Sequence, residues 1–197
     1  MTDFGSLFSA HLIEEGALKT LRDWMDLYVE EVEGQYGGLK LPKIKSWGLS
    51  SAYDRWSEQA LPALVVAADG IGRGGPPEEY GGGNYRAGWS LGVSVTVEHP
   101  KPDGARKAAQ LYAAVTRGIL LQRRSLGAGG RVASWVDEGY PTSISERRTR
   151  AAAENVFVVV QDEVVNWQLG PKGDTPPPDL PGPDLEIKEV DVDAEVK

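Results

Sequence analysis

Several residues of this chain have the type and spacing to do chemistry. In DGIGRGGPPEEYGGGN, residues 69–84, Gly70, Gly72 and Gly75 follow the apolar run ALPALVVAA. G-x-G-x-x-G between a strand and a helix lets backbone N–H groups cradle a pyrophosphate at the helix N-terminus. GLSSA at 48–52 has the start of a G-x-S-x-G nucleophile turn, and His11 and His99 are the two histidines. Asp137-Glu138 and Asp162-Glu163 offer paired carboxylates, the ligands hard cations use. Arg123, Arg124, Arg147, Arg148 and Arg150 are the forked donors that grip phosphate.

Each of these depends on the element that carries it, and the elements argue against all four. Gly75 is followed by Pro76-Pro77, two acids and Gly81-Gly82-Gly83, where no amphipathic helix can begin, so residues 69–86 read as a loop. GLSSA lacks the last glycine and a preceding strand. Adjacent acids on one strand point to opposite faces, so exposed strand-end charge explains both pairs better than a metal. The arginines fit contact with the acidic tail of a neighbouring subunit, or a solvated surface, before phosphate. With no cysteine in the chain, thiolate catalysis, disulfides and zinc–sulfur sites are excluded. No catalytic, cofactor-binding or metal-ligating residue is assigned, and the reading is of a protein that is not an enzyme.

The elements themselves are read from periodicity. Leu18, Leu21, Trp24, Met25, Tyr28 and Val32 make one face of a helix over 17–33, ended by Gly37 and Gly38. GSLFSAHLIEE before it reads as a shorter lead-in capped by Ser6 or Ser9. Residues 39–60 read as an extended crossing with at most one helical turn. Leu61–Ala67 and Trp89–Glu98 read as strands of a long hairpin. In the second, Leu91, Val93, Val95 and Val97 alternate with Ser90, Ser94, Thr96 and Glu98, one face in the core and one in water or on a partner. Asp103 is expected to cap a helix with the stripe Ala108, Leu111, Tyr112, Val115, Ile119, its C-terminal end basic with Arg117, Arg123 and Arg124. Strands follow around Arg131–Asp137 and at 155–164.

Length and charge bound the class. The 197 residues suit one domain, and the formal charge of −8 argues against a general nucleic-acid binder. The N-terminus has no basic region or sustained apolar core, and no run approaches a membrane span, so the expectation is a soluble product with no membrane partner. Residues 1–170 read as one α/β (α+β) domain: a small, mainly antiparallel or mixed sheet of about four strands flanked by helices, in the order α-β-β-α-β-β. Residues 171–183 are a proline-rich linker, and 184–197 an acidic, strand-like arm.

The order of landmarks resembles the tail terminator proteins of long-tailed phages of actinobacteria. The segments that carry the likeness are TLRDWMDLYVEEVEGQYG, LPKIKSWGLSSAYDRW, ALPALVVAADG, GWSLGVSVTVEH, ARKAAQLYAAVTRGILLQRRSLG and RRTRAAAENVFVVVQDEV followed by GP, spanning about Leu18 to Pro171. The resemblance implies a structural virion protein at the tail–neck junction, assembled in the host cytoplasm as a homo-oligomeric, hexameric ring. That ring would cap the tail tube, stop the major tube protein adding, and meet the head–tail connector or stopper protein. DNA would pass through its lumen without specific binding, and net negative charge suits that passage. The alternatives are an adjacent neck component (a head-completion or stopper protein) and, more distantly, a small soluble enzyme with the 69–86 loop as a lid.

Interfaces are then expected in three places. The glycine-rich loop supplies Gly72, Arg73, Glu78, Glu79, Tyr80 and Tyr85, and the basic residues are Arg123, Arg124, Arg147 and Arg148. The arm supplies Leu185, Ile187, Val190 and Val192, apolar on alternate positions with one step out of register at Lys188-Glu189 that a β-bulge would absorb. The arm is expected to lie as an added strand on another subunit or on an adjoining tail protein.

Overall fold

The computed structural model of the chain describes residues 9–36, 40–49, 60–71, 78–79, 84–140, 142–144 and 149–164. The N-terminal helix, α1 (Ala10–Gln35), is one continuous element of 26 residues, so the lead-in and the main helix are a single unit. Ser9 is its cap: the hydroxyl accepts the Leu12 N–H and occupies one of the donors a helix start leaves unpaired. Ile13, Ala17, Leu18, Leu21 and Met25 are buried, while Trp24, Tyr28 and Val32 pack half-buried at the margin. The second helix, α2 (Pro102–Gln122), starts on a proline, whose missing N–H costs nothing there. Asp103 is therefore not the cap. It sits in the first turn, where a carboxylate suits the helix dipole, and Lys101 occupies the cap position without a side-chain bond. Leu111, Tyr112, Val115 and Ile119 are buried as their spacing predicts, and Ala108 is half-buried.

The sheet has the strand order β1-β2-β4-β7-β5, with β1 (Ser46–Leu49), β2 (Ala63–Ile71), β4 (Asn84–His99), β5 (Arg131–Gly139) and β7 (Thr149–Val164). Two short strands lie off this path, β3 (Glu78–Glu79) on β4 and β6 (Thr142–Ile144) on β7. The fold is mixed α+β, with both helices on one face of the sheet. Strands β4 and β7 pair antiparallel along their whole length, from Asn84↔Val164 to His99↔Thr149. The β2–β4 hairpin is antiparallel as expected, but its strands run further, taking in Asp69–Ile71 and Asn84–Arg86. The crossing also holds a strand that periodicity does not signal. β1 is four residues long, contains a glycine, and gains its regularity only by pairing parallel to β2.

Leu64, Val66, Leu91, Val93, Val95, Val97, Phe157 and Val159 form the helix-side layer, and Leu91 stands directly opposite Phe157. The other parity makes the second face. Ser90, Ser94 and Thr96 are buried there beside Ala63 and Val65, which corrects the water-facing alternative for this row and leaves the partner-facing one untested. Close approach fixes α1 on the turn before β5. A Cβ on Gly16 would stand 2.2 Å from the Leu126 carbonyl oxygen, and one on Gly129 2.4 Å from that of Leu12. Only glycine fits at either contact.

Candidate assembly surface

Gly70 has φ +36 and lies inside β2, with a register shift between Asp69 and Ile71, and the next described element is strand β3. Among the described residues the glycine motif is followed by a strand and not by a helix. Glu78 and Glu79 are exposed and pair in register with Arg86 and Tyr85, the latter half-buried. Gly72, Arg73 and Tyr80 lie outside the described residues, as do Arg147, Arg148, Leu185, Ile187, Val190 and Val192. His11 is exposed and faces Glu15 one turn on, while His99 Nδ1 accepts the Lys101 N–H.

The basic cluster does not assemble among the described residues. Arg123 stacks on Trp24, 3.7 Å from the ring centroid, and Arg124 donates to the Leu121 carbonyl at the end of α2. Arg150 pairs with Glu98 at 3.1 Å, beside the chain that leads into the start of α2. A helix of 21 residues separates the two groups, and at 1.5 Å per residue that is roughly 30 Å. One ligand cannot be gripped by both. The paired acids resolve likewise into separate contacts: Asp162 pairs with Arg86 at 2.7 Å, and Glu138 accepts from Arg117 and from the Tyr140 hydroxyl.

Two regions are built more deliberately than their sequence suggests. The first is the outer edge of the sheet at β5. Trp135 donates its indole N–H to Asn155 Oδ1 at 3.0 Å, and the Arg117 guanidinium lies 4.8 Å from the ring centroid. Asn155 is 1% exposed and donates in turn to the Ala113 carbonyl and to Thr116 Oγ1. This network fixes the indole, yet Trp135 is 41% exposed and its neighbour Val136 58%. A signal for it was available. Asn155 and Gln161 share the parity of Phe157 and Val159, and a polar residue in an apolar row must have buried partners. Gln161 uses its position to accept the Ser9 N–H and to donate to the Ala128 carbonyl, tying α1 to the turn.

The second region is the second face of the sheet. The cross-strand pairs Arg86–Asp162 and Glu98–Arg150 bound it along β4 and β7, and between them lie Gly88, Ser90, Gly92, Ser94 and Thr96 opposite Val160, Val158, Val156, Glu154 and Ala152. A depression of about 390 Å³ opens there, lined by Ala67, Asp69, Gly92, Ser94, Glu154 and Val156 among others. Among the described residues no group of three or more His, Cys, Asp or Glu is placed to hold a metal ion, and no helix is long and apolar enough to cross a membrane.

No protein-family model matches the chain, and no curated protein matches it.

Proposed function

We propose that this chain is a structural virion protein, a tail terminator that assembles as a ring, caps the phage tail tube and joins it to the head connector. The observation that carries the reading is Trp135, held by Asn155 and Arg117 at a sheet edge while a large part of its ring stays exposed beside Val136. A fixed aromatic side chain loses little rotamer entropy on contact, which is how the anchor residues of protein interfaces behave. A closed ring needs head-to-tail contacts, and these use two different surfaces of each protomer. The resemblance of the segments between Leu18 and Pro171 supplies the class of assembly, and the acidic balance suits a lumen past which DNA slides.

The test is negative-stain imaging and light scattering of the purified chain, alone and with tail tubes. Closed rings of uniform copy number are expected, seated on tube ends when tubes are present. Val136→Asp, an exposed change with a small expected effect on folding, should disperse the rings while the unfolding midpoint stays in place. A protein that remains monomeric alone and in the presence of tubes overturns the reading.

A further inference from the structure

The two edges of the sheet differ as acceptors for an added strand. β5 has register shifts between Val132 and Ser134 and between Trp135 and Asp137, and such bulges spoil an edge for regular pairing. β1 pairs with β2 in unbroken register from Ser46↔Ala63 to Leu49↔Val66, and among the described residues no strand lies on its outer side. We propose that this outer edge of β1 receives residues 184–197 of a second copy of the chain as an added β-strand. The inference rests on the oligomeric reading above and names the acceptor within it.

Side-chain parity fits. Trp47 and Leu49 stand opposite Leu64 and Val66, on the helix side, and are half-buried against the core. In the arm beyond the step at Lys188-Glu189, Val190, Val192, Ala194 and Val196 share one parity and Glu189, Asp191, Asp193 and Glu195 the other. A strand so patterned extends the apolar layer beside Trp47 and leaves its acids on the opposite face. Charge separates the two edges further. The arm has six carboxylates against two lysines. Exposed Lys45 directly precedes β1, and Arg22 lies over Trp47 at 5.5 Å. Lys43 is already engaged: its bond to Asp26 at 2.9 Å holds the ammonium above its usual range. At β5, Glu138 is engaged by Arg117, and exposed Asp137 offsets Arg131.

Reach allows a second copy. β7 and β1 are three strand spacings apart, about 14 Å at ~4.8 Å each. Residues 171–183 contain six prolines, and an extended, stiff spacer of that length covers about 40 Å. That length is enough for the arm to reach a neighbouring copy.

Because the chain has no cysteine, paired cysteines report the contact without background. The full chain carrying Lys45→Cys and Lys188→Cys, oxidised under native conditions, should give a ladder of covalent multimers on a non-reducing denaturing gel. Adding Val190→Asp and Val192→Asp should remove most of the ladder, since those positions carry the apolar face. A bond formed within single chains, no bond at all, or an equal ladder from Arg131→Cys with Lys188→Cys at the β5 edge would each overturn the proposal. Rings seen by imaging without the ladder would remove this inference and leave the tail-terminator reading standing. The ladder without rings would do the reverse.

Discussion

The two faces of the sheet are made from the same strands by opposite rules. On the helix side, β4 contributes Leu91, Val93, Val95 and Val97 and β7 contributes Phe157 and Val159, all buried beneath α1 and α2. On the other side the same strands present Ser90, Gly92, Ser94 and Thr96 and the half-buried Val156, Val158 and Val160. Large side chains fill the space between two layers, and their burial drives folding. The first face packs against the helices, and on the second Ser90, Ser94 and Thr96 are buried with Ala63 and Val65 while the valines of β7 stay half-buried.

Substitution one residue apart on β7 is the strongest way to break this contrast. Phe157→Ala, on a fully buried ring, is expected to cost about 3–5 kcal/mol. Val158→Ala, half-buried on the second face, should cost no more than about 1.5 kcal/mol. Denaturant midpoints measure both, and equal losses would erase the distinction between the faces. Next in size is Asn155→Ala, which strips the Trp135 indole of its acceptor and leaves a polar gap under α2. A loss of about 1–3 kcal/mol is expected, together with a weakened near-ultraviolet circular dichroism signal from the freed indole. An unchanged signal would mean that Arg117 alone holds the ring.

Tyr112→Phe removes the hydroxyl that donates to the Pro42 carbonyl, at an expected cost near 1 kcal/mol at neutral pH. Burial raises the Tyr112 pKa above its ordinary value of 10.0, with Glu33 and Asp26 adding to the shift. The folded state therefore favours the protonated phenol. Its contribution is complete below pH 10.0 and is lost as pH rises from there through the folded pKa. Alkaline unfolding curves should show that loss in the wild type and a flatter profile in Tyr112→Phe. The smallest effect is expected at Gly92→Ala. Its Cβ would stand 3.7 Å from the Ala67 carbonyl oxygen, an ordinary contact. Replacing a strand glycine should leave stability unchanged or raise it by up to about 1 kcal/mol. A clear loss would show the second face to be as tightly packed as the first.

The helix-side core was legible because its pattern is long. Leu111, Tyr112 and Val115 at helical spacing, and Leu91 to Val97 at period two, need no partner to be recognised. β1 was not legible, since four residues with a glycine hold no period and only β2 gives them a ladder. The cap of α2 was misplaced by a local rule: Asp103 is a good cap by type, but Pro102 claims the first turn ahead of it. Among the expected interface residues, Arg123 and Arg124 are drawn apart from Arg150 because α2 lies between them, and one-dimensional clustering of charge carries no such distance. Glu78, Glu79 and Tyr85 fall on strand ladders where a loop was expected, because β4 continues past the glycines.

By itself the sequence determined the class of fold, the inner face of both helices and of β4, and the absence of thiol chemistry. These depend on composition and on periods of 3.6 and 2, which are properties of a single element. Tertiary structure alone decided the parallel seat of β1, the close contact of Gly16 and Gly129 with their neighbours, and the meeting of Arg117, Trp135 and Asn155 at one edge. Each of these joins residues far apart in the chain, and their energy comes from a contact that exists only once the layers have packed.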